Sequence, residues 1–238
     1  MSKPEVTAII PVYNDRPSLE AAIPRSLETL AKITPDFEIF VAEDGSTDGS
    51  TEFVRDYERR DPRVRLLHRD ERQGRGKALN RAIREANGSI VCYYDVDLAT
   101  NMQHLEELVG AIRNGFDIST GSRLLPDSDI VRTGGREIAS RSYNLLVRTI
   151  VGSRVFDHQC GFKAFNKEHI LPVLPTIRSN HWFWDTEILV RGQRMGFRVK
   201  EFPVHWRAGK GTTVKVKDVF TMGEAILRLW WQIHVSKD

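Results

Sequence analysis

Cysteine is nearly absent: Cys92 and Cys160 are the only two in 238 residues. Two thiols with no signal-peptide pattern ahead of them make no disulfide framework and read as reduced, intracellular residues. Long apolar runs are missing too. None approaches the roughly 20 residues needed to span a bilayer, and the amino terminus lacks a targeting pattern. The expectation is therefore a soluble or peripheral protein. His158, His181 and His205 have no metal-ligand spacing, and no Ser/His or Cys/His arrangement marks a covalent nucleophile. Repeats, low-complexity tracts and a dividing linker are absent. Excess charge is small, +3 overall. Basic residues are not interleaved with exposed aromatics, which disfavours nucleic acid as a partner. The charge is uneven, however: Arg191 to Asp238 holds ten Lys/Arg against four Asp/Glu, +6, leaving −3 for the rest. That basic carboxyl-terminal fifth suits phosphate groups or a lipid surface, or is a solvated face.

What is present is an α/β order. Apolar strands are expected at Val6 to Val12, Glu38 to Glu43, Val64 to His68, Ser89 to Tyr94 and Asp117 to Thr120. Helical spacing lies between them: Pro17 to Ile33, a stretch through Phe53 to Arg59, Lys77 to Ala86, and about Asn101 to Asn114. The alternation argues a mostly parallel sheet with helices on both faces, in one domain. The second half is less regular. Helices are expected at Ile138 to Val151, at Trp184 to Met195 and at the end of the chain, with strands at Gly161 to Phe165 and Phe197 to His205.

The chemistry gathers where strands end. Asp95-Val96-Asp97 follows the Ser89 to Tyr94 run, and open α/β sheets place ligands at the carboxyl ends of their strands. Two carboxylates there want a divalent cation, whose other positions usually go to phosphate oxygens. That points to a nucleotide diphosphate. Along a continuing strand the two would face opposite sides, so both reach one ligand only if the chain bends. Asp44 ends another strand, either as a helix cap or as an acceptor for the edge of a base. Tyr13 ends the first strand, placed to stack on a base. Gln73-Gly74-Arg75-Gly76-Lys77 lacks Walker spacing; it is a loop-to-helix entry, or offers Lys77 to a diphosphate. Arg123 ends a further strand, while Arg136, Arg207 and Lys210 supply further cations suited to phosphate. Asp185 and Glu187 open a helix, either as helix-dipole complements or facing a sugar.

Ile10-Pro11-Val12-Tyr13-Asn14, Glu43-Asp44-Gly45-Ser46-Thr47-Asp48-Gly49, Gly74-Arg75-Gly76-Lys77, Asp95-Val96-Asp97, Gly121-Ser122-Arg123, Asp157-His158-Gln159-Cys160-Gly161-Phe162-Lys163 and Trp184-Asp185-Thr186-Glu187 span nearly the whole chain. Together they resemble the family 2 glycosyltransferases of the GT-A fold, in the dolichyl-phosphate glucosyltransferase and mannosyltransferase branch. The Gln-Cys-Gly-Phe-Lys and Phe-Trp-Asp-x-Glu segments look more like the glucosyl side.

The resemblance implies a Rossmann-like three-layer α/β sandwich over residues 1–238. Residues 1–123 would be the nucleotide-sugar half and 124–238 the acceptor half, with a carboxyl-terminal amphipathic helix. It implies inverting, metal-dependent transfer of a hexose to dolichyl or polyprenyl phosphate. UDP-glucose is the favoured donor, with GDP-mannose, a saccharide hydroxyl acceptor, or a non-catalytic binding module as alternatives. Pro11, Tyr13, Asp15, Asp44, Lys77, Asp95, Val96 and Asp97 would bind the nucleotide sugar, and Asp95 and Asp97 a Mg2+ or Mn2+ ion. Arg123, Arg136, Ser140, Arg207 and Lys210 would bind the acceptor phosphate. Asp95, Asp97, Arg123, Asp185 and Glu187 make the catalytic set. Two positions depart from the family: Asp15 stands where Glu is frequent, and Ala99 where mannosyl enzymes often carry Gln. The second weakens the mannose reading and leaves the metal one protein ligand short. The expected location is cytoplasmic, peripheral on the cytoplasmic face of a membrane. The final helix, with Leu227, Trp230 and Trp231, either lies at a lipid interface or packs on the sheet.

Overall fold

A computed structural model describes residues 3–131, 134–207 and 216–235, with the backbone alone at 134–136 and 216–222. The chain runs β1 (Val6–Val12), α1 (Arg16–Ile33), β2 (Phe37–Glu43), α2 (Ser50–Arg60), β3 (Val64–Leu67), α3 (Arg75–Glu85) and β4 (Ile90–Tyr94). It continues through α4 (Leu105–Arg113), β5 (Ile118–Ser122), β6 (Asp129–Val131), α5 (Gly134–Val151), β7 (Phe162–Asn166) and α6 (Lys167–Ile170). Last come α7 (Trp184–Arg194), β8 (Val199–Pro203), β9 (His205–Arg207) and α8 (Val216–His234).

Seven strands form one sheet in the order β3-β2-β1-β4-β7-β5-β8. All are parallel except β7, which runs antiparallel between β4 and β5. Every residue of β1, β4 and β5 is buried, as strands covered on both faces must be. Alternation divides the core. Val6, Ala8 and Ile10 meet Leu19 and Ile23 of α1, Val54 of α2 and Leu108 of α4. On the other face, Ile9, Phe40 and Tyr93 meet Leu79 of α3, Ile170 of α6 and Ile188 of α7. The expected strand at Phe197 to His205 is in fact two: β8 closes the large sheet and β9 pairs with β6 in a separate ribbon.

Of the two expectations for the final helix, packing on the sheet is not met. Ile226 and Leu229 of α8 pack on Tyr143 and Val147 of α5 and on Val190 of α7, not on the sheet. Its other side keeps Leu227, Trp230, Trp231 and Val235 exposed, and α5 adds exposed Ile138, Leu145 and Leu146. Among the described residues no helix is long and apolar enough to cross a membrane.

His158 shows how the irregular second half is fastened. Its ring is buried between the Asn144 Oδ1 and Ser153 Oγ, each 2.7 Å away. Asn144 Nδ2 donates to the Ser140 carbonyl, so Oδ1 can only accept, and the imidazole is neutral with its proton on Nδ1. Burial pushes its pKa down to about 3 from an ordinary 6.5. Between those values the unfolded chain binds the extra proton, so stability is full above about 6.5 and lost as pH falls. His104, also lowered by burial, adds to the same trend. Denaturant unfolding at a series of pH values should show this loss. His158→Gln should shallow the slope by up to about one proton while lowering stability at pH 7.

Candidate active site

The carboxyl ends of β1, β2, β4 and β5 open on one rim. Because β7 is antiparallel, its amino end, with the Asp157–Gly161 segment ahead of it, arrives at the same rim. The first two loops are zipped together: Asn14, at φ 51, donates its N–H to Ser46 Oγ and accepts from Thr47 N at 2.8 Å. Asp15 caps α1 through Ser18 N. Pro11 is buried inside β1, and Tyr13 is exposed with the Arg72 guanidinium 3.9 Å over its ring.

Asp44 is not the cap of α2. Its buried carboxylate accepts from Gln73 N at 3.0 Å and Gly74 N at 2.8 Å, clamping the loop before α3. At the start of α2 Asp48 accepts from Ser50 N and Oγ, while the cap position itself is Gly49, with no side-chain cap. Gly74 has φ +105, and a Cβ there would strike Asn180 and His181; one at Gly76 would strike Trp184. Only glycine lets this loop lie so close to the start of α7.

After Tyr94 the chain bends as two convergent carboxylates require. Leu98 N closes a turn onto the Asp95 carbonyl, and Leu98 itself sits at φ 49. Asp97 is exposed, and its pKa is raised by partial desolvation and by the charges of Asp95 and Asp15. Val96 is half-buried beneath them. A Cβ on Gly161 would fall on the Asp95 carboxylate, which rests against that glycine.

Arg75, passed over in favour of Lys77, carries the site's electrostatics. Its Nη2 meets Asp95 Oδ1 at 2.9 Å and its Nη1 meets Asp185 Oδ2 at 2.6 Å. Burial opposes its charge, but the two carboxylates outweigh that and hold its pKa above the ordinary value. Asp185 is buried and also accepts from the Tyr93 hydroxyl and from Lys163 Nζ at 3.2 Å. Burial alone would raise its pKa; Arg75 and Lys163 bring it below the usual range. Lys77 is exposed on the first turn of α3. As a signal for Arg75 the sequence offers only the Gly74-Arg75-Gly76 frame around it.

The catalytic set from sequence is corrected at Glu187. Its buried carboxylate accepts from Arg178 N, Ser179 N and Arg191, so it fastens the loop before α7 rather than facing a sugar. Asp185, wholly engaged with three donors, is likewise no free base. Arg123 is bidentate to Asp157 at 2.7 and 2.9 Å; burial opposes its charge, but Asp157 raises its pKa. Its remaining Nη1 is the part left for a ligand. Ser140 has a buried hydroxyl without a partner among the described residues. Arg207, on β9, pairs with Asp129 at 2.6 Å. Beside Asp97, a cavity of about 500 Å3 is lined by Arg25, Met102, His205 and Arg207. The Arg136 side chain and all of Lys210 lie outside the described residues.

Among the described residues no group of three or more His, Cys, Asp or Glu is placed to hold a metal ion. The two carboxylates fit a divalent ion only as a partial set, completed by phosphate oxygens, as Mg2+ and Mn2+ sites commonly are.

A model of the family described as "Glycosyl transferase family 2" matches residues 7–173. The glycosyltransferase AglD of Haloferax volcanii is 47% identical over 97% of this chain, which spans 38% of that protein. A dolichyl-phosphate beta-glucosyltransferase of Trichomonas vaginalis is 30% identical over 94% of this chain and 70% of its own length. Glucosyl-3-phosphoglycerate synthase of Mycobacterium tuberculosis, solved with Mn2+, UDP and glucosyl-3-phosphoglycerate, shares the fold. Its TM-score is 0.70 at 17% identity, over 99% of this chain and 81% of that one.

Gly161→Ala tests the packing under Asp95. The added methyl must push the carboxylate aside, so nucleotide-dependent activity should fall about a hundredfold, with a melting temperature close to wild type. Steady-state turnover and a thermal melt read both.

Proposed function

Because the chain belongs to glycosyl transferase family 2 and is a glycosyltransferase, we propose that it moves glucose from UDP-glucose to dolichyl or polyprenyl phosphate with inversion. Residues 1–123 would form the donor half and 124–238 the acceptor half of one catalytic domain.

The observation that carries this reading is a rim rich in charge at which Asp185 and Glu187 are held by donors. Asp185 and Glu187 are fully engaged, so neither of the two carboxylates that open α7 is free to take the proton of a neutral hydroxyl acceptor. A phosphate monoester, with a second pKa near ~6, arrives already ionised and needs none. Its oxygen attacks the anomeric carbon, the bond to the nucleoside diphosphate breaks with its electron pair, and the configuration inverts. Asp95 and Asp97 would hold the donor diphosphate with a Mg2+ or Mn2+ ion, which when bound supplies Lewis acidity toward the leaving oxygen. Arg75 lies beside Asp95, placed to neutralise the departing diphosphate. Arg123, Ser140 and Arg207, with Arg136 and Lys210, would orient the acceptor phosphate. Pro11, Tyr13, Asp15, Asp44, Lys77 and Val96 would surround the nucleotide. Relatives that are dolichyl-phosphate beta-glucosyltransferases support glucose and dolichyl phosphate, and the Mycobacterium structure supports UDP with a divalent metal.

Access to a lipid acceptor is supported by the outer face of α8 and α5. Leu227, Trp230 and Trp231 stand there with Leu145 and Leu146, beside exposed Arg141 and Arg228. Tryptophan with flanking cations suits a headgroup layer, so peripheral contact at the cytoplasmic face is part of the proposal.

The test supplies UDP-glucose or GDP-mannose with polyprenyl phosphate and Mg2+ or Mn2+, then extracts lipid-linked sugar. Glucose in the lipid phase is the expected result. Transfer from GDP-mannose alone would replace the donor, and transfer to a soluble saccharide without lipid would overturn the acceptor. Asp97→Asn, at an exposed position, should abolish turnover with an unchanged melting temperature. Arg136→Ala should raise the acceptor KM about tenfold and leave nucleotide affinity alone; equal loss of both would move that arginine out of the acceptor site.

A further inference from the structure

Lys163 is fully buried in β7, yet nothing in the proposed reaction uses it. Its Nζ donates to the His158 carbonyl at 3.0 Å and to Asp185 Oδ1 at 3.2 Å. From there an unbroken ionic path runs outward. Asp185, its side chain 4% exposed, meets Arg75 at 15%, which meets Asp95 at 42%. The path leads from the core of the sheet to the rim.

Such a pair is a poor device for stability, since apolar residues of the same shape usually serve as well or better. Its value lies in charge. Without Lys163, the buried Asp185 carboxylate would cancel Arg75. With Lys163, the pair sums to zero and Arg75 keeps one positive charge. In the free protein Asp95 absorbs that charge, and when Asp95 turns to a cation-bound donor the charge faces the diphosphate.

We propose that the buried Lys163–Asp185 pair is a charge platform beneath Arg75, which leaves that guanidinium uncancelled toward the diphosphate of the donor. Lys163 is thus a positioning residue acting through Asp185 and Arg75. The inference rests on the donor reading above only in taking the ligand to carry a diphosphate.

Calorimetric titration with inorganic pyrophosphate and Mg2+ reads the platform directly, because that probe has no base, sugar or lipid. Lys163→Met should weaken pyrophosphate binding about tenfold, and the double variant Lys163→Met/Asp185→Asn should return to within about threefold of wild type. Asp185→Asn alone should bind at least as tightly as wild type, and it decides the matter should Lys163→Met fail to fold. A merely structural pair predicts weakening in each single variant, Asp185→Asn included, because either change strands the other charge. Equal affinity in wild type and Lys163→Met, a double variant as weak as Lys163→Met, or weaker binding by Asp185→Asn would each overturn the platform. A chain that shows the expected pattern yet transfers no sugar to lipid would sink the proposed reaction and leave the platform standing.

Discussion

The contact between Arg75 and Asp95 is the interaction on which the rim depends. It joins the entry of α3 to the end of β4, and through Asp185 it ties both to α7. Arg75 and Asp185 would each be costly to bury alone; together they satisfy one another, and the loss of either would strand a charge in low dielectric. The close approach that makes this possible is bought by small residues. Gly74 and Gly76 let the α3 loop lie on the start of α7, and Gly161 leaves room for the Asp95 carboxylate.

The reversed strand β7 explains how two halves of the chain meet at one place. A parallel strand in that position would deliver the end of its sequence to the rim, and α6 would follow from there. Running the other way, β7 brings its preceding segment instead. That segment sets Gly161 under Asp95 and Asp157 against Arg123, and it places the Lys163 ammonium within reach of Asp185. The donor and acceptor residues of the proposed reaction are therefore linked by backbone as well as by charge.

Much of this was legible before any coordinates. Apolar runs ending in Asp mark where β2 and β4 stop, and the bend after Tyr94 follows from needing both carboxylates on one side. The direction of β7 was not legible, because a five-residue strand carries no sign of its orientation. The backbone partners of Asp44 and Glu187 were not legible either, because nothing local reveals an N–H thirty or eight residues away. Arg75 and Lys77 are equally cationic in sequence; only the packing of α3 shows which one points inward. The helix α8 is apolar on most of its circumference, so its pattern could not separate Ile226 and Leu229, which pack, from Leu227 and Trp231, which do not.

The contrast between Asp95 and Asp97 completes the physical logic. Asp95 has a cation in place, whereas Asp97 is left to feel the repulsion of Asp95 and Asp15. A rim neutralised throughout would offer a divalent ion no gain in field, and one with both acids bare would set two charges in repulsion beside a buried sheet. Pairing one acid with an arginine and leaving the other open divides the difference. In the proposed reaction the open acid would draw a divalent cation. The paired acid would then be free to exchange partners, leaving Arg75 to meet the donor diphosphate. In the proposed reaction the protein moves no proton. Its contribution is a set of charges fixed in advance, at the edge where the sheet ends.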